Sequence, residues 1–257
     1  LKNKVTSLGF GTDSYITGAY ATYVGQEVGQ FYGWVYEGIA RTQDQLDNHA
    51  TQQGANVGDC LYKDISGPDG TPDGVVDAYD QVVLGSGLPK VNFGLSTHME
   101  YKGFDLNIST YGVLNYHVSD DIYNSLNSCY GYGNKEVGML DANRWSEDGS
   151  TYLSNVPRTY AANNATLAWN DLFSSRKIQN AAYWKIANVE LGYNFPDKWF
   201  GGYVSGVRLY VSAQNLYTFT GYHGYNVDYA GGTFTPGYNF CSFPSARTFM
   251  AGLHFTF

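Results

Sequence analysis

The chain has 257 residues, enough for one large domain or two small ones, and 23 Asp and Glu against 15 Lys and Arg give it a net charge of −8. That balance excludes a nucleic-acid surface, which needs a basic stripe. No run approaches the roughly 18 apolar residues that a membrane-spanning helix requires, whereas Tyr (24) and Gly (31) are abundant, as in β-structure with aromatic girdles and many turns.

In chain order, residues 3–9 read as the end of a strand, and Phe31 to Tyr36 as an aromatic, strand-like stretch among glycines at 29, 33 and 38. Residues 42–56 are polar and read as a short helix or an exposed loop. The acidic segment 58–80 follows. It aligns with a calcium loop: Asp69, Thr71, Asp73, the Val75 carbonyl, Asp77 and Asp80 take the ligand positions, and Gly74 takes the sharp turn. Hard oxygen donors at that spacing wrap one Ca²⁺. The fit has faults, since Asp80 stands where a bidentate Glu belongs and Pro72 sits inside the loop. The other reading is an Asp/Gly turn cluster whose carboxylates cap local backbone N–H groups.

From Val91 the pattern is regular. Val91, Phe93, Leu95, Thr97, Met99 and Tyr101 alternate with polar residues. Lys102-Gly103 makes a turn, and Phe104, Leu106, Ile108 and Thr110 alternate again. This predicts a β-hairpin with arms of about 10 residues, the length of a tilted transmembrane strand. Residues 115–181 lose the alternation, apart from a short strand expected near Val156–Tyr160, and suit a long folded loop outside a barrel. Alternation returns with Ala187, Val189, Leu191 and Tyr193. It breaks at Pro196-Asp197 and resumes with Val207, Leu209, Val211 and Ala213, followed by Tyr217, Phe219 and Tyr222. Residues 221–246 form a further Gly/Tyr-rich loop. The final strand then sets Phe249, Ala251, Leu253, Phe255 and Phe257 on one face.

The polar faces carry Glu100, Asp105, Glu190, Arg208 and Gln214. In a soluble sandwich these would be solvated surface; in a barrel they line a polar or plugged interior. Strand length, the loop asymmetry and a chain ending on an aromatic favour the barrel. The expected fold is all-β: the C-terminal portion of a large antiparallel transmembrane β-barrel, with 40–90 and 115–181 as long extracellular loops. The chain opens Leu1-Lys2-Asn3 without Met or signal peptide, although a barrel must be secreted; a fragment is expected.

Catalytic signals are absent from this reading. Asp120-Asp121 would point to opposite faces of a strand and could not flank one glycosidic bond, and there is no nucleophile–base set or phosphate loop. Cys60, Cys129 and Cys241 are too few and too far apart for a disulfide framework or a metal site. Tyr130, Tyr132, Trp145 and Trp169 are loop aromatics able to stack on a ligand. The competing function class is a secreted, calcium-assisted carbohydrate-binding β-sandwich.

Five stretches in order resemble the SusC/RagA type of TonB-dependent outer-membrane transporter. These are Gly29-Gln30-Phe31-Tyr32-Gly33-Trp34 through Gly38-Ile39; Gly58-Asp59 through Lys63-Asp64 to Asp73-Gly74-Val75-Val76-Asp77 and Asp80, with Gly85 and Pro89 after it; Asn143-Arg144-Trp145; Tyr183 to Tyr193; and Leu209 to Thr220. The tail from Pro244 through Arg247-Thr248-Phe249 to Phe257 completes the match. Pro68 and Pro72 in the acidic loop, and Trp184-Lys185, depart from the pattern. The resemblance implies a barrel of roughly 22 strands around an N-terminal plug, with residues 1–257 supplying its last part. It implies import of glycans, or in some members peptides, under a SusD-like surface lipoprotein as lid. TonB would supply energy through a region outside these residues. It further implies contact with the remainder of the same barrel and with outer-membrane lipid. The barrel-assembly machinery would read Gly252, Phe255 and Phe257 as an insertion signal. There would be no catalytic residues and no nucleic-acid partner.

Overall fold

The computed structural model describes residues 3–129, 134–139, 144–146, 152–159, 169–200, 204–228 and 231–257. In chain order its elements are β1 (Ser14–Thr17), β2 (Tyr20–Tyr23), β3 (Gln30–Gly33), β4 (Tyr36–Ile39), helix α1 (Gln43–Asp47), β5 (Cys60–Tyr62), β6 (Val82–Ser86), β7 (Val91–Tyr101), β8 (Phe104–Leu114), β9 (His117–Asp120), helix α2 (Asp121–Leu126), β10 (Gln179–Asn180), β11 (Tyr183–Phe195), β12 (Gly206–Thr220), β13 (Tyr238–Asn239) and β14 (Thr248–Thr256).

Five of these are long, at 11, 11, 13, 15 and 9 residues. They form one antiparallel sheet in the order β14-β12-β11-β8-β7. The β7–β8 turn is tight because Lys102 and Gly103 both take positive φ, 50° and 87°. That is the geometry whose twist matches a two-residue hairpin. Register then aligns the apolar sets into rows across the sheet. Tyr101 pairs with Phe104, Phe104 with Tyr193, Tyr193 with Leu209 and Leu209 with Leu253. The neighbouring row is Met99, Leu106, Leu191, Val211 and Ala251.

No sheet among the described residues covers this face: Leu95 and Phe249 are 66% and 68% exposed. A β-sandwich would bury it, so the sandwich expectation does not hold. No helix among the described residues is long and apolar enough to cross a membrane.

Aromatics gather at the two ends of the apolar face. Near the short turns, Phe104 stacks beside Tyr193 at 4.6 Å, Tyr193 beside Phe195 at 4.9 Å and Phe195 beside Trp199 at 5.9 Å. At the other end Trp184 lies on Phe219 at 5.2 Å and Tyr217 beside Phe219 at 4.7 Å.

The long connections all leave from that second end, and they fold into a cap. One small core holds Cys60, Tyr62 and Val76 with Trp34, Tyr36, Ala50, Trp169 and Leu172 around them. The other holds Tyr116, Val118, Ala181, Tyr183, Tyr222 and Val227. Buried polar networks join distant loops. Arg158 grips Asp59 through two bonds of 2.6 and 2.8 Å, and Asn170 donates to the same carboxylate at 2.9 Å. Asp120 caps α2 at the Tyr123 N–H and also accepts from the Tyr222 hydroxyl and from Asn239.

Three local expectations are revised. Residues 3–8 are irregular and lead into a 3-10 turn at Gly9–Gly11; Val5 bonds to Gly25 and Gln26 without extending into a ladder, and the Asn3 side chain accepts from the Val28 N–H. The stretch 31–36 is split between β3 and β4. No strand lies over 156–159, whose backbone instead bonds singly to Trp145 and Gly58; Tyr160 is outside the described residues. The 42–56 segment does hold a helix, α1, capped by Thr42.

Candidate functional site: the inner face and the cap

The face opposite the apolar rows carries the charges that alternation assigned to it. Arg208 on β12 reaches over β11 to Asp105 on β8, with Nε–Oδ2 at 3.0 Å and Nη2–Oδ1 at 2.5 Å. The same Nη2 donates to Glu190 at 2.7 Å, and Asn194 donates to Asp105 at 3.0 Å. Gly192 lies beneath this bridge. A Cβ there would sit 2.4 Å from Asp105 Oδ2 and 2.6 Å from Arg208 Nη2. His98 completes the wall, contacting Asn107 at 2.7 Å and Glu100 at 2.9 Å.

Simple alternation fails at one point. Ala187, Val189, Leu191 and Tyr193 set the outward parity, which would send Lys185 outward too. The ladder slips between Ile186 and Asn188 against both neighbours. Against β8 this β-bulge spends one extra residue on β11, and against β12 the extra residue lies on β12, so Ile186 and Trp184 point outward and Lys185 pairs with Tyr111 on the inner face. There Lys185 is 3% exposed, and it donates to Asp228 at 2.6 Å. Sequence reasoning missed Lys185 and Asp228 because a bulge leaves no mark in residue spacing. The only signal was a lysine on a face otherwise apolar.

In the acidic loop the carboxylates are taken up by backbone N–H groups. Asp80 is fully buried and accepts from Ile65, Ser66 and Asp77 at 2.6, 3.0 and 2.7 Å. Asp77 caps Tyr79 at 2.7 Å, Asp73 accepts from Val75 at 3.0 Å, and Asp69 accepts from the Thr71 N–H and hydroxyl at 3.1 and 2.8 Å. Among the described residues no three His, Cys, Asp or Glu side chains converge where a metal ion could be held. Asp69, Asp73, Asp77 and Asp80 thus cap local turns, with Thr71 and Val75 among the donors.

Of the four loop aromatics, Tyr130 and Tyr132 lie outside the described residues. Trp145 is buried over Gly58 and beside Tyr152. Trp169 is half-buried beside Tyr62, and its indole N–H donates to the Gln53 carbonyl at 3.0 Å. Both described tryptophans thus hold loops together. Arg41 does similar work, donating to the carbonyls of Tyr152, Leu153 and Ser154.

No family model matches the sequence. The TonB-dependent receptor P3 of Formosa agariphila is 28% identical over 274 residues, an alignment taking in all of this chain and 26% of that protein. The TonB-dependent receptor SusC of Bacteroides thetaiotaomicron is 26% identical over 186 residues, 72% of this chain and 17% of that one. In solved structures, the RagAB peptide transporter superposes with a TM-score of 0.75 at 21% identity, over 97% of this chain and 25% of its own. That likeness shows the same fold. In sequence and in fold the chain is similar to a section of the SusC-like TonB-dependent receptors.

TonB-dependent receptors are outer-membrane β-barrels, whose strands turn an apolar face to lipid, and the uncovered apolar rows have that character. The chain spans about a quarter of the length of the relative that it matches throughout. β14 is one of the two edge strands of the long sheet, β7 being the other. Its Gly252 opens room for the Tyr210 ring, 2.5 Å from where a Cβ would sit. Phe255 points outward at the end of the strand, and Phe257 follows it, 90% exposed and stacked on Phe255 at 6.5 Å.

Proposed function

We propose that this chain is part of the wall and the extracellular cap of an outer-membrane nutrient importer. One observation carries the reading: a sheet apolar on its outer face and hydrogen-bonded, charged and Gly-relieved on its inner face, with every long connection at one end. Lipid accounts for the first face and a plugged aqueous interior for the second. The cap, including 40–90 and 115–181, then faces the medium, and the short turns face the periplasm. The inner residues move no bonds; they shape a path. A SusD-like lipoprotein covers the mouth, and TonB acts on a part of the receptor beyond these residues. The cargo is a glycan or oligosaccharide, with a peptide as the alternative supported by the name of the RagAB relative.

The test is uptake by cells with and without the full-length receptor, using a fluorescein-labelled oligosaccharide set and a fluorescein-labelled peptide set. Uptake lost on deletion and on TonB depletion supports the reading, and the set affected names the cargo class. Uptake of both sets unchanged by deletion overturns it.

A further inference from the structure

The connection between β12 and β14 does not stand clear of the sheet. Its first stretch turns back onto the inner face. Tyr222 anchors the root: its hydroxyl donates to Asp120 and accepts from Asn239 at 2.8 Å. Further along, Val227 is buried in the core formed with Tyr116, Val118, Ala181 and Tyr183. Asp228 follows and accepts from Lys185 at 2.6 Å and from the Tyr111 hydroxyl at 3.2 Å. Lys185 also lies over the Tyr111 ring, 5.8 Å from its centroid. Lys185, Tyr111, Val113 and Tyr183 all belong to the inner face by register. The segment 222–228 therefore crosses the inner wall at its cap end.

Two cavities flank it. One, of about 320 Å³, is lined by Lys185, Thr218, Tyr225, Asn226 and Arg247 among others. The other, of about 140 Å³, is lined by Leu88, Pro89, Val113 and Asp228. Val227 lines both. The strap is thus a partition with open space on each side: its root is fixed by Tyr222 and by His223, which donates to Gln179 and stacks on Tyr123, and its far end is held by Val227 and by the Lys185–Asp228 pair with Tyr111 beside it.

We propose that residues 222–228 are a releasable strap across the barrel mouth, latched by Lys185 and Asp228. The inference rests on the inner face being a transport path. An ion pair suits a reversible latch. When it parts beside a water-accessible cavity, both charges regain hydration, which offsets the lost attraction. A wholly apolar anchor of the same size has no such compensation and stays shut.

The test reads the burial of position 227 in the full-length receptor, both in outer-membrane vesicles and purified in detergent. A Val227→Cys variant is made with Cys241→Ser, since Cys241 is the exposed native thiol and Cys60 and Cys129 are buried. The probe is a membrane-impermeant maleimide. With the latch intact, labelling is slow. Adding Asp228→Asn strands a buried ammonium and accelerates labelling about tenfold or more. Replacing the pair by Lys185→Met with Asp228→Leu restores slow labelling, which separates latch loss from a damaged fold. A labelling rate unchanged by Asp228→Asn overturns the strap, as does fast labelling of the apolar pair. Absence of the unaltered receptor from the outer-membrane fraction would instead overturn the transporter reading, since strap labelling is read independently on the purified protein.

Discussion

Arg208 and Asp105 are joined across an intervening strand, and the space between them is the missing side chain of Gly192. The bridge ties β12 to β8 over β11, adding a lateral link to the sheet that the backbone ladder does not provide. A Gly192→Val substitution would push a branched side chain into the Asp105 carboxylate and the Arg208 guanidinium. We expect a loss of about 1–3 kcal/mol from overpacking. The measurement is the temperature at which the folded, fast-migrating band of the full-length receptor converts to the unfolded one on a gel. A conversion temperature equal to that of the unaltered receptor would sink the idea.

Much of the barrel section was legible because half of each long strand must be apolar. Val91 to Tyr101, Val207 to Ala213 and Phe249 to Phe257 show that need at a strict period of two. The inner charges followed from the same parity. What stayed hidden depends on contacts between distant residues. The bulge at Ala187 is a count of two residues against one on another strand. The Asp59–Arg158–Asn170 and Asp120–Tyr222–Asn239 networks join positions far apart in the chain, and no local pattern marks them. In the acidic loop the turn-capping spacing was legible, whereas the partners of Asp80 were not, because it accepts from Ile65 and Ser66, which lie outside the aligned motif.

The three thiols divide by burial. Burial pushes Cys60 up to about 12, and it raises Cys129 as well, whereas Cys241 is exposed. A thiol reacts as its thiolate. At pH 8 a maleimide should therefore label the folded receptor at Cys241, and all three cysteines should react after denaturation, as read by peptide mass spectrometry. Rapid native labelling of Cys60 would show that its core opens readily.

His117 gives the cap a dependence on pH. Burial holds its pKa below the usual histidine value, a neighbouring Lys90 lowers it further, and a backbone contact at Ser86 partly offsets both. The unfolded chain then binds a proton near pH 6.5 that the folded cap does not. Stability contributed by neutral His117 is complete above that pH and falls as the pH drops toward the depressed folded value. Protease resistance of the cap should decline between pH 7.5 and 5.5, and His117→Gln should flatten the decline. An identical pH profile in that variant would remove His117 as the cause.

Asp80 supports the acidic loop through three backbone N–H groups while fully buried. Removing the carboxylate in Asp80→Ala orphans those donors, at a cost on the order of 3 kcal/mol to the loop. Cleavage within 58–85 by a nonspecific protease should accelerate in that variant. The same assay with a calcium chelator on the unaltered receptor should show no change where the N–H contacts of Asp69, Asp73, Asp77 and Asp80 alone hold the loop. Chelator-induced cleavage would restore a cation to this loop.

Phe257 separates folding from assembly. It lies one residue past β14, almost wholly exposed, and its contact is the stack on Phe255. Replacing it removes little packing within the chain, so a Phe257→Ser receptor should keep nearly the same heat-conversion temperature once folded in detergent. If the assembly machinery reads Phe257, the same variant should be depleted from the outer membrane by several-fold. Tyr101→Ser, a similarly exposed outward aromatic at the same end of the sheet, serves as the control for lost membrane contact. Equal depletion of both variants would assign the effect to lipid contact, and normal levels of Phe257→Ser would remove Phe257 from the insertion signal.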